Sequence, residues 1–174
     1  GFVNKFYSLG YNVLAADARA HGDSEGTKIG MGWPERFDVI EWIKLIISWD
    51  SNAQIILHGV SMGAATVLMA SGEELPENVK AIIADCGYTS EWDEFKCEAN
   101  ALHIPWFPVL NAASVMSRLR DGYDFKQASA LEKVKQSRIP TLFIHGSDDE
   151  LVPYSMLDKL YSAAACEKEC LTVN

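Results

Sequence analysis

The sequence predicts a single α/β domain built on a doubly wound, mostly parallel sheet, and three observations carry that expectation. Short apolar runs alternate with segments of helical periodicity along most of the chain, an order that yields parallel strands with helices on both faces. The apolar runs at 55–57 and 140–145 each end in a polar, glycine-containing turn, as strands of open α/β sheets do at their carboxyl ends. At 174 residues and 48% hydrophobic composition the chain can bury a sizeable core.

The elements follow in order. Residues 1–10 read as the end of a helix stopped by Gly10. Tyr11 to Ala16 reads as a short parallel strand. The loop Asp17–Gly26 is polar and glycine-punctuated. Pro34 suits the first turn of a helix whose apolar residues Phe37, Ile40, Ile43 and Ile47 recur at helical spacing up to Trp49. Gln54 to Leu57 is a strand, the next helix runs to Ala70, and Val79 to Ala84 is a further strand. Residues 88–137 interrupt the alternation with many aromatic side chains and Pro105 and Pro108, and read as two or three helices inserted over the mouth of the sheet. Pro140 to His145 returns to strand, a helix follows from Tyr154 to Ala165, and Glu169 to Val173 opens a last strand.

Twenty-four acidic against 15 basic residues leave a net charge of −9, which argues against nucleic acid or an anionic membrane as partner. No apolar run reaches bilayer length. The cysteines Cys86, Cys97, Cys166 and Cys170 lack zinc-ligand spacing. They read as free thiols of a reducing, cytoplasmic compartment, although the chain does not begin with Met and an upstream anchor or export signal would lie outside it.

The chemistry concentrates at Gly59-Val60-Ser61-Met62-Gly63, between the strand at 54–57 and the small residues Ala64 and Ala65. A serine on a strained strand-to-helix turn projects its hydroxyl above a sheet, provided glycines let strand and helix approach. The first helical amides then point where an acyl oxyanion forms. Neither a dinucleotide nor a phosphate loop fits the segment, which lacks G-x-G-x-x-G and a Lys. A serine hydroxyl needs a histidine base, and that base needs a carboxylate to hold its tautomer. Asp149, past the strand at 140–145, suits the acid; Asp148 and Asp85 are its competitors.

Three blocks together resemble the α/β-hydrolase superfamily: D-x-R-x-H-G-x-S-x-G at 17–26, the serine turn at 59–63 and H-G-S-D-D-E-L-V-P at 145–153. The resemblance is to uncharacterised bacterial hydrolases of the serine aminopeptidase-like branch. It implies an α/β-hydrolase domain over 1–174 with a helical lid insert at 88–137. It also implies Ser61 as nucleophile, the Met62 amide as oxyanion donor and Asp149 as triad acid. Tyr88, Trp92 and Val152 are the substrate-binding candidates.

In that superfamily the catalytic histidine follows the last strand, and none of His21, His58, His103 or His145 stands there. A loop before the first helix supplies the second oxyanion amide. The fold is therefore expected to be incomplete at both ends, the middle of a hydrolase of roughly 250 residues, and nearly inert alone. The expected reaction is hydrolysis of an ester, thioester or amide acyl group of a small molecule, with no metal and no organic cofactor. A non-catalytic binding or scaffold protein on the same fold is the alternative. Open sheet edges suggest a homo-oligomer.

Overall fold

A computed structural model describes residues 1–174. Four strands form one parallel sheet in the order β1 (Ile55–Val60), β2 (Val79–Asp85), β3 (Thr141–Gly146) and β4 (Lys168–Val173). The helices are α1 (Phe2–Ser8), α2 (Glu35–Trp49), α3 (Met62–Ala70), α4 (Glu91–Ala101), α5 (Trp106–Asp121), α6 (Ala130–Val134) and α7 (Tyr154–Ala163).

Topology decides where the helices lie. A sheet that grows one strand at a time in one direction through right-handed crossovers keeps every crossover helix on the same face. Accordingly α3, α6 and α7 pack side by side, with α2 against α3. The strand residues turned toward them, including Leu57, Ile82, Ala84 and Phe143, are buried and form one core with Ile43, Leu68, Met69 and Leu160. Each such side chain contributes roughly 1.5–3 kcal/mol by leaving water. The opposite face carries α1, whose Phe2 and Phe6 rings lie 5.1 and 5.2 Å from the His58 ring. Helices therefore stand on both faces, but Ile56 and Val60 of β1 remain exposed.

The expected strand at 11–16 does not form. The segment has no regular secondary structure, and Tyr11, Val13 and Leu14 are exposed. Apolar alternation supplies propensity, but a strand exists only where a neighbour completes its ladder; β1 pairs with β2 alone. The remaining elements match expectation to within a few residues. Of the insert at 88–137, α6 belongs to the main body, with Ala130 and Val134 buried in the core. A half-buried ion-pair cluster secures it: Glu73 accepts from Arg36 at 2.8 Å and from Lys133 at 2.7 Å, linking α2 to α6. The outlying part of the insert is α4 and α5.

Candidate active site

The β1 ladder ends as the Ser61 N–H donates to the Asp85 carbonyl at 2.8 Å, and α3 begins at the next residue. Between them Ser61 adopts φ 53°, ψ −116°, a region that L residues rarely occupy and that costs on the order of 1–3 kcal/mol. Its side chain is exposed. The steric demand for glycine falls on Gly59, where a Cβ would stand 2.2 Å from the carbonyl carbon and oxygen of Gly63 and 2.6 Å from the Ala64 nitrogen. Gly63 was expected to share that role, but a Cβ there meets open space. Ala64 and Ala65 are fully buried beneath the turn. Met62, at the first helical position, has no earlier carbonyl to which its amide can donate. That N–H belongs to the positive end of α3, which begins directly after Ser61.

Asp149 lies in the loop after β3. One carboxylate oxygen, Oδ1, accepts from the Leu151 and Val152 amides at 3.0 and 2.9 Å. The other, Oδ2, is 3.7 Å from His145 Nε2. His145 is fully buried, and the same Nε2 lies 2.8 Å from the Val152 carbonyl. A carbonyl only accepts, so that nitrogen carries the proton and His145 serves as a brace for the acid loop. Asp148 is exposed, with Ser147 Oγ 3.4 Å from its Oδ1. The Asp85 carbonyl braces the Ser61 amide. Because β1 and β3 flank β2 in a parallel ladder, Ser61 and Asp149 both follow strand carboxyl ends on the same edge of the sheet.

The four histidines have other places. His21 Nδ1 lies 3.0 Å from the Arg19 carbonyl in the 17–26 loop. His58 packs under α1, where burial pushes its pKa down. His103 is exposed just past α4. Cys86, next to the Ser61 turn, has its thiol pKa pushed up by burial, so it is a neutral thiol at physiological pH.

The expected substrate contacts divide. Tyr88 is 1% exposed and donates its hydroxyl to the Met31 carbonyl at 2.8 Å, and Val152 is 2% exposed. Both are buried in the core cluster. Trp92 is half-buried on α4, edge-on to Trp106 at 6.4 Å. Residues that sequence reasoning missed are Glu91 and Glu94 on the inner side of α4. Both carboxyls are buried, and each Oε2 lacks a hydrogen-bond partner.

Burial first, then repulsion from Glu35 and Asp121, pushes Glu91 up to about 8. Burial, then Glu98 and Asp149, pushes Glu94 up to about 7. The unfolded chain ionises both near the ordinary carboxyl value, so folding stability declines as pH rises from about 4.5 and the decline is complete above about 8. Denaturant unfolding is expected to give lower stability at alkaline than at mildly acidic pH, by on the order of several kcal/mol for the pair. Glu91→Gln with Glu94→Gln should flatten that slope, and an unaltered slope in the double variant would contradict this reading.

A strained, exposed serine between strand and helix, and a braced carboxylate two strands away on the same edge of a parallel sheet, define an α/β-hydrolase fold. The family model for X-Pro dipeptidyl-peptidase (S15 family) matches residues 3–130, and the chain belongs to that family. It is 32% identical to the uncharacterized protein YqkD of Bacillus subtilis over 162 residues, which cover 92% of this chain and 53% of that protein. It is also 32% identical to the lysophosphatidylserine lipase ABHD12 of Macaca fascicularis, covering 91% of this chain and 39% of the relative. The chain thus spans about half the length, or less, of these relatives. Among solved structures, the Pyrococcus furiosus esterase Pf2001 superposes with TM-score 0.75 at 22% identity, covering 99% of this chain and 65% of that one. A lipase-esterase related protein from Clostridium acetobutylicum gives 0.69 at 19%, covering 98% and 77%. These likenesses show the fold, and the family is one of hydrolases.

Proposed function

We propose that this chain carries the nucleophile and acid of a serine hydrolase that cleaves ester, thioester or amide acyl groups of a small molecule through an acyl-enzyme on Ser61. The observation that carries the reading is the conformation of Ser61. It is an exposed serine held at φ 53° where β1 ends and α3 begins, the place at which a strand-to-helix turn presents a nucleophile. In this reading Ser61 attacks the acyl carbonyl and the Met62 amide receives the developing oxyanion. A histidine base takes the hydroxyl proton and returns it to the leaving group, and Asp149 holds that histidine's tautomer. Water then releases the acyl group. The aromatic residues of α4 and α5, Trp92 among them, form a lid over the acyl pocket. Similarity to a lysophosphatidylserine lipase supports an ester as substrate.

The test uses the whole natural polypeptide and p-nitrophenyl esters. Asp149→Asn is expected to lower kcat about 10³-fold or more with little change in KM, because the base loses its orienting partner. Asp148→Asn should stay within about twofold, since that side chain is solvated. Equal activity of Asp149→Asn and the parent would remove Asp149 from the mechanism. A whole polypeptide without any hydrolysis would favour the binding-protein alternative.

A further inference from the structure

Helix α5 is amphipathic in the inverted sense. Its inward positions Leu110, Ser114 and Ser117 are buried, and two of the three are serines. Their hydroxyls are used locally: Ser114 Oγ accepts from the Phe125 amide at 3.1 Å, and Ser117 Oγ donates to the Tyr123 carbonyl at 2.9 Å. Ala112, Val115, Met116 and Leu119 recur at i, i+3, i+4 and i+7, the spacing of a single helical face. That face points to solvent: Val115 is 59% exposed, Met116 54% and Leu119 77%. Leu102, Ile104, Phe107 and Val109 extend the patch at the α4–α5 corner, and all are exposed. A helix that turns serines in and its large apolar side chains out is shaped for an apolar medium outside it.

We infer that the outward face of α5 is a docking surface for a lipid–water interface. Two features of the molecule select that occupant. At 100° per residue, Arg118 and Arg120 flank Leu119 on opposite sides of the apolar stripe. Long arginine stems lie along apolar surface while their heads reach outward to phosphate, the arrangement of an interfacial helix. A second copy of the chain would bring another net charge of −9 against the first, and that repulsion opposes self-association. A zwitterionic surface carries no such penalty. Beside α5 an apolar groove of about 310 Å³, lined by Phe95, Ile104, Trp106, Leu110 and Phe125 among others, offers room for part of an acyl chain leaving that surface.

The surface is independent of the hydrolase reading, because binding is measured without turnover and Ser61→Ala should bind as the parent does. The full chain is mixed with phosphatidylcholine vesicles and sedimented. Co-sedimentation is expected, and Val115→Glu with Leu119→Glu should reduce the bound fraction about tenfold or more. Trp49→Gln, at a 67%-exposed position on α2, should leave binding unchanged. Circular dichroism of each variant confirms the fold, since both α5 positions face outward. Absence of co-sedimentation, or equal binding by the glutamate variant, would overturn the inference. So would a concentration-dependent dimer, formed without vesicles and abolished by the same two substitutions, which would assign the face to a second copy.

Discussion

Ser61→Ala is expected to lower acyl-ester hydrolysis by the whole polypeptide about 10³-fold or more, with the fold intact. Removing the hydroxyl leaves no nucleophile to activate, so only the catalysis of binding and the oxyanion amide remains. The effect should fall on kcat, because the hydroxyl forms its bond in the reaction rather than in the initial complex. Ser61→Gly offers a second readout. Glycine adopts φ 53° freely, so this variant should be equally inactive yet more thermally stable, by on the order of 1 kcal/mol. Loss of activity coupled to a gain in stability is the signature of a position that keeps strain for chemistry. A serine without strain at this position would lose stability, or nothing, on the same change.

Gly59→Ala should have the largest effect on the fold. The added carbon would sit 2.2 Å from the Gly63 carbonyl group, and every atom it meets is backbone. Flexible side chains swing aside from such a contact; a helix terminus does not. Relief requires α3 to lift off β1, which would open the packing of the fully buried Ala64 and Ala65. Overpacking of this kind costs about 3 kcal/mol or more. For a domain of marginal stability that is a large share of the total, and thermal unfolding should show a loss of many degrees. Gly63→Ala is the matched control: its Cβ meets nothing within 4 Å, and alanine favours a helix. It should be neutral or slightly stabilising. Equal destabilisation by the two alanines would contradict the geometry assigned to the turn.

Much of this architecture is legible in the chain because it rests on local rules. Ile55-Ile56-Leu57 followed by Gly59 and two alanines announces a strand, a turn and a close-packed helix, and those three pieces place Ser61. The HG pair at 145–146 announces the acid loop, and His145 does brace it through the Val152 carbonyl. What escapes sequence reading depends on partners distant in the chain. Residues 11–16 have the alternation of a strand but no neighbour to pair with. Tyr88 and Val152 carry side chains fit for a pocket, and the core takes them. The period of α5 reveals one apolar face without saying which way it points; the buried serines at 114 and 117 are the signal that it points outward. Glu91 and Glu94 read as solvated charges of an acidic helix, and only tertiary packing buries them. Steric need separates Gly59 from Gly63, which the G-x-S-x-G pattern treats alike.

The most direct measurement is covalent. The whole polypeptide is treated with a fluorophosphonate, digested, and the adduct located by mass spectrometry. Modification at Ser61, absent from Ser61→Ala and sharply slowed in Asp149→Asn, is the predicted result. A labelled residue elsewhere, or an active hydrolase whose Ser61 stays unmodified, would contradict the assignment of this turn as the seat of the chemistry.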